Sequence, residues 1–102
     1  LIIRACNEKI KILVCRRYAT TIRNTVFSTF KEVLGKWGLI PYVKINESDF
    51  RIRFENGSEI IFLGLDNEEK LLSLNNIGTI FIEEAYEVPQ AIVEQLNLRM
   101  RG

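Results

Sequence analysis

Histidine occurs nowhere in these 102 residues. Its absence removes every catalytic scheme that moves protons on imidazole, and nearly every catalytic zinc site. Any chemistry falls to carboxylates, lysine, arginine, hydroxyls or a bound metal. Cysteine is scarce. Cys6 and Cys15 stand at no metal-ligand spacing and read as reduced, buried thiols of a cytosolic protein, not as a structural disulfide. No apolar run approaches the roughly 20 residues of a membrane-spanning helix, so no membrane partner is expected. An excess of one charge is also missing. Fourteen basic and 13 acidic residues leave a formal net charge of +1, whereas a dedicated DNA-coating domain is usually more basic.

A nucleotide-phosphate cradle is the most telling absence. The pattern G-x-x-x-x-G-K-[ST] occurs nowhere. Gly35-Lys36 is the one Gly-Lys pair, with Phe30 where the earlier glycine should stand and Trp37 where the hydroxyl should be. By itself the chain cannot hold nucleotide phosphates in the standard way.

What is present is a globular composition, 47% hydrophobic and 26% charged, which sets the chain apart from a disordered tail. The length fits one domain or part of one. "LIIRACN" reads as the tail of a helix with no N-cap and no polar lead-in, stopping near Asn7. "LNLRMRG" ends as abruptly, and the chain reads as a piece of something longer. "KIKILVCR", residues 9–16, alternates and then becomes continuously apolar, as a strand buried on both faces does. Thr20 or Thr21 can cap a following helix. Ile22, Val26, Phe27, Phe30, Val33, Leu34 and Trp37 form its apolar stripe, and Gly35 and Gly38 its end.

Residues 42–64 read as an antiparallel meander or hairpin. Phe50, Ile52 and Phe54 point one way, Arg51, Arg53 and Glu55 the other. Asn56-Gly57 is a hairpin signal, because both residues tolerate the positive φ of a type I′ turn. Residues 66–75 read as a polar loop with a short helical turn. A strand, "GTIFIEEA", and a helix starting near Pro89 follow, the helix carrying Ile92, Leu96 and Met100 along one face. Strand, helix, hairpin, strand and helix together predict an α/β layer structure.

Chemistry concentrates in "TIFIEEAYEVP", residues 79–89. Glu83 and Glu84 can be solvated acids where a strand opens into a loop. They can also be working acids of phosphoryl transfer. In nucleotide hydrolases a buried apolar strand ends in an acid that holds Mg²⁺, followed by a carboxylate that orients the attacking water. Four apolar residues followed by Glu-Glu form such a Walker B pattern. Arg16 and Arg17 close the earlier strand, where ligands of α/β sheets gather, and can meet phosphate or a base or be simply solvated. Arg51 and Arg53 can touch a partner or DNA phosphates, though a solubilising face explains them as well.

"FRIRFENGSEIIFLGLDNEEKLLSL" followed by "GTIFIEEAYEVP" resembles the ATPase domain of terminase large subunits, the DNA-packaging motors of tailed bacteriophages, and within them the PBSX-like branch. "LVCRRYATTIRNTVFSTF" is similar to the family's region after the P-loop helix, and "QLNLRMRG" to its segment beyond Walker B. The resemblance spans essentially residues 1–102 in order. It implies a P-loop NTPase-like fold (additional-strand, RecA-like) with strands 9–16, 59–64 and 79–84 in a parallel central sheet, plus a β-hairpin. The domain would be incomplete, with its P-loop ahead of Leu1 and its coupling motif and nuclease domain after Gly102.

The resemblance further implies that Glu83 helps to hold Mg²⁺ and that Glu84 activates water, with ATP as the nucleotide. Arg16 and Arg17 would be nucleotide-binding. Lys70 lies where related motors can present a trans-acting basic residue, but Leu72 replaces a second basic residue of the family, and a solvated lysine fits better. The implied partners are double-stranded DNA, the small terminase subunit, the portal protein and further copies in a ring, all in the bacterial cytoplasm. No nuclease residue is expected here. A helicase-like P-loop ATPase fragment, or a non-catalytic α/β binding module or decayed prophage remnant, are the alternatives.

Overall fold

The computed structural model describes residues 5–6, 9–66, 68–74, 77–82 and 90–98. Strand β1 (Lys11–Arg16) is buried along its four central residues. Its side chains alternate between two apolar clusters, Ile12 and Val14 entering one and Leu13 and Cys15 the other. That double burial explains the unbroken apolar run. Two-sided cover needs a layer on each face of the sheet.

The first layer is helical. α1 (Ala19–Thr21) leads without a break into a π-helical turn (Ile22–Val26) and then α2 (Phe27–Lys36). Ile22, Val26, Phe27 and Leu34 are buried against Ile12, Val14, Ile52, Phe54, Ile60 and Phe62. The predicted stripe therefore holds except at its end, where Trp37 is 52% exposed. The helix runs through Gly35, and Gly38 at φ 69° stops it. The Gly38 N–H bonds the Gly35 carbonyl (3.2 Å) and the Leu39 N–H the Leu34 carbonyl (2.9 Å). This is a Schellman ending, in which the chain turns back and takes Trp37 off the buried face.

Next come β2 (Val43–Asn46), β3 (Arg51–Phe54) and β4 (Glu59–Gly64), paired antiparallel in turn. Phe50 takes φ 51° in the turn before β3, and its ring meets the Phe27 edge at 5.3 Å. The β3–β4 turn differs from the expected type I′. Gly57 alone of its residues has positive φ. The Phe54 carbonyl accepts from the Gly57 N–H, and the Phe54 N–H bonds the Ser58 carbonyl. That is a three-residue loop with glycine at the left-handed position, an arrangement with the same sequence signature. Asn56 stays out of the positive-φ region because its side chain is engaged. Its Nδ2 donates to the Ala5 carbonyl (2.7 Å) and its Oδ1 accepts from the Ser58 N–H (2.9 Å).

The other layer holds α3 (Glu68–Ser73) and α4 (Gln90–Asn97), with β5 (Thr79–Ile82) the last strand of the described sheet. Residues 66–75 are more than a polar loop, since Leu71, Leu74 and the following Ile77 are buried against Leu13, Ile61, Leu63 and Leu65. Ile92 of α4 packs against the same cluster. Of the other residues expected to shape this helix, Pro89, Met100 and the Leu96 side chain lie outside the described residues.

The strand order is β2-β3-β4-β1-β5. β1 runs parallel to β4 on one side and to β5 on the other. The fold is therefore α/β with a mixed five-stranded sheet. The parallel arrangement expected for strands 9–16, 59–64 and 79–84 is found over β1, β4 and β5. The sheet as a whole is not parallel, because the tight turn after β3 can join only antiparallel neighbours.

Candidate functional site at the carboxyl edge of the parallel strands

Because β4, β1 and β5 are parallel, their carboxyl ends emerge on one edge of the sheet. Arg16 pairs with Gly64, and Cys15 with both Leu63 and Ile82. Crevices at such edges are where open α/β sheets bind ligands. Glu83 and Glu84 follow Ile82 directly in sequence but lie outside the described residues.

The connection from β1 to the helix is held at both ends by the segment that closes β4. The Leu65 N–H donates to the Arg16 carbonyl at 2.9 Å. Asp66 Oδ1 accepts from the Ala19 N–H at 3.1 Å. The expected caps, Thr20 and Thr21, sit inside the helix. Tyr18 occupies the cap position in extended geometry (φ −124°, ψ 139°) and makes no side-chain cap bond. A carboxylate 47 residues away along the chain therefore supplies the acceptor that the first turn lacks. Gly64 permits the approach: a Cβ there would lie 2.2 Å from the Ala19 nitrogen. Sequence reasoning missed Gly64 and Asp66 as site-building residues. The available signal was Gly-Leu-Asp closing an apolar strand.

Arg16 projects from this clamped segment, its Nη1 donating to Thr25 Oγ1 at 3.4 Å in the π-helical turn. The Arg17 guanidinium lies 5.4 Å from the Tyr18 ring centre, within cation–π range. Both arginines are thus at the carboxyl edge, as expected. Cys15, one residue earlier, is buried with Sγ 3.6 Å from the Phe81 carbonyl. Burial disfavours its thiolate and pushes its pKa to about 12, so it is no nucleophile at neutral pH. Cys6, expected to be buried, is exposed.

Lys70 is not a solvated lysine. Its Nζ bonds Asp49 Oδ1 (3.1 Å) and the Asp49 carbonyl (3.2 Å), tying α3 to the turn between β2 and β3. The hydrogen bond from Lys70, helped by the charges of Lys70 and Arg51, holds the Asp49 carboxyl below its ordinary range. Arg51 and Arg53 share Glu59, Arg51 Nη1 reaching Oε1 (3.1 Å) and Arg53 Nε reaching Oε2 (2.8 Å). Arg51 Nε also lies 2.7 Å from Asp49 Oδ2. The two arginines do share one face, but much of their charge is neutralised within the sheet. Among the described residues no group of three or more His, Cys, Asp or Glu comes together, and no helix is long and apolar enough to cross a membrane.

The family profile described as phage terminase large subunit matches residues 1–102. The chain is 39% identical over 101 residues to the PBSX phage terminase large subunit of Bacillus subtilis (strain 168). The alignment covers 99% of this chain and 23% of that protein. The chain belongs to the phage terminase large subunit family. It spans about a quarter of the length of the curated relative that it matches.

Proposed function

We propose that this chain is part of the ATPase motor of a phage or prophage terminase large subunit, which drives viral DNA packaging. In this reading it is a partial P-loop NTPase-like, RecA-like unit carrying the Walker B strand, and the P-loop, coupling motif and nuclease belong to sequence outside residues 1–102. The observation that carries it is the convergence of β1, β4 and β5 on one carboxyl edge, with Glu83-Glu84 next in the chain after β5. β5 is not the buried strand expected: it lies at the end of the described sheet, with Phe81 47% exposed. Its parallel pairing with the buried β1 is what supports the reading, because phosphoryl transfer is mostly positioning and charge stabilisation.

Glu83 contributes to holding Mg²⁺, through water, and Glu84 orients and polarises the attacking water. A carboxylate together with phosphate and water oxygens is the donor set that Mg²⁺ prefers, and no closed protein cage is needed. When bound, the ion neutralises charge developing on the transferred phosphoryl group. Arg16 and Arg17 meet the phosphates or base of ATP. Lys70 serves as a tether to Asp49 within the chain, not as a basic residue acting on a neighbour's ATP. Double-stranded DNA, the small terminase subunit, the portal protein and a homo-oligomeric ring in the host cytoplasm complete the proposed setting.

The test uses the full-length protein that carries this chain. It should hydrolyse ATP with Mg²⁺ and be stimulated by double-stranded DNA. Glu84→Gln should nearly abolish turnover while nucleotide binding persists. Unchanged turnover in that variant would remove Glu84 from its role.

A further inference from the structure

We infer that Asp66 is a positioning residue for the nucleotide site, acting through the helix start and Arg16. The inference rests on the proposed nucleotide role of Arg16 and adds a residue to it. Three observations lead there. First, the residue at the cap position of the helix after β1, Tyr18, makes no side-chain cap bond, and the leading N–H of Ala19 is met by Asp66. Second, Leu65 bonds the Arg16 carbonyl, so consecutive residues of one segment grip both ends of the four-residue connection from Arg16 to Ala19. Third, the Arg16 guanidinium is steadied by Thr25, one to two turns into the helix that Asp66 anchors. A helix start free to shift would carry Thr25 with it and release the guanidinium from its aim.

The clamp costs the chain freedom elsewhere. Gly64 is the residue that allows Ala19 so close, since a Cβ there would lie 2.2 Å from the Ala19 nitrogen and 2.3 Å from its Cα. The same three residues, Gly64, Leu65 and Asp66, thus permit the approach, bond the strand end and cap the helix.

The experiment measures ATP hydrolysis by the full-length protein as a function of ATP concentration, for Asp66→Ala, Asp66→Asn, Arg16→Ala and the Arg16→Ala/Asp66→Ala pair. Thermal unfolding is followed in parallel. Asp66→Ala should raise KM for ATP about fivefold, the size of effect that losing a helix cap carries. Asp66→Asn should stay near the parent, because asparagine caps about as well as aspartate. The double variant should have the KM of Arg16→Ala alone, since the cap matters only through the arginine.

A lower melting temperature with unchanged KM in Asp66→Ala would reduce Asp66 to a structural cap and overturn the inference. So would additive KM changes in the pair. If Arg16→Ala itself leaves KM unchanged, the nucleotide role of Arg16 fails and this inference with it; a raised KM in Arg16→Ala beside a normal one in Asp66→Ala sinks the positioning role alone. Thr25→Val is the second variant should Asp66→Ala not fold. It leaves the Asp66 cap in place and removes the hydroxyl that accepts from Arg16 Nη1. It too should raise KM, and an unchanged KM would count against the inference.

Discussion

Gly64 and Ala19 meet so closely that a Cβ on Gly64 would lie 2.2 Å from the Ala19 nitrogen and 2.3 Å from its Cα. Such a clash cannot be relieved by rotating a side chain, because both neighbours are backbone. Gly64→Ala should therefore destabilise the protein by about 3 kcal/mol, the upper end of ordinary overpacking costs. Denaturant unfolding measures it, and a loss below about 1 kcal/mol would show that the helix start can retreat from β4.

Asn56 joins the hairpin turn to the segment ahead of β1. Its amide donates to the Ala5 carbonyl and accepts from the Ser58 N–H, and Ser58 Oγ in turn accepts from the Ile10 N–H at 3.0 Å. Asn56→Ala leaves these backbone groups to find other partners. We expect a loss of about 1–2 kcal/mol, from one to two net hydrogen bonds. Asn56→Asp keeps the acceptor but not the donor and should fall between the two.

The Lys70–Asp49 pair is half-open to water, the Asp49 side chain being 47% exposed. Its worth is correspondingly small. A double-mutant cycle with Lys70→Met and Asp49→Asn should give a coupling of about 0.5 kcal/mol that shrinks in high salt. The pH dependence has a definite sign. The folded Asp49 carboxyl lies below the ordinary value of 3.8, so the unfolded chain binds the proton first as pH falls. The contribution is present above pH 3.8 and is lost on acidification through the lower folded value. Lys70→Met should flatten that part of the acid unfolding curve.

Cys6 and Cys15 should part company toward thiol reagents. In the folded protein Cys6 is exposed and Cys15 buried, so labelling should stop at one thiol per chain and reach two only on unfolding. Burial raises the Cys15 pKa from 9.0 to about 12. The unfolded chain therefore loses its proton at lower pH than the folded one. Stability from this group is complete below pH 9.0 and declines as pH climbs toward about 12. Cys15→Ala should remove that share of the alkaline decline.

The elements legible in the sequence were those whose signal is local. β1 announced itself by an apolar run, the helix by its stripe, and the meander by alternation around Asn56-Gly57. What escaped was set by partners far along the chain. The helix cap comes from Asp66 and not from the threonines beside it, because the segment that closes β4 brings its carboxylate to the Ala19 N–H while Thr20 and Thr21 lie inside the helix. Lys70 looked free because Asp49, 21 residues earlier, reaches it only once α3 folds back. Residue type alone suggests a buried Cys6, but it carries no information on where the fold places the side chain, which is exposed. The site was half legible. The arginines could be assigned to a strand end, while the clamp that holds them required the fold.

The order of strands in the sheet has a consequence for synthesis. β1 precedes β4 and β5 in the chain yet ends up between them, so neither of these neighbours has been made when it emerges. The meander can zip up from a short turn within microseconds, but β1 must wait, its apolar faces uncovered, for translation to deliver both flanks. Residues 11–16 are therefore the stretch on which a nascent chain would most need a chaperone's cover.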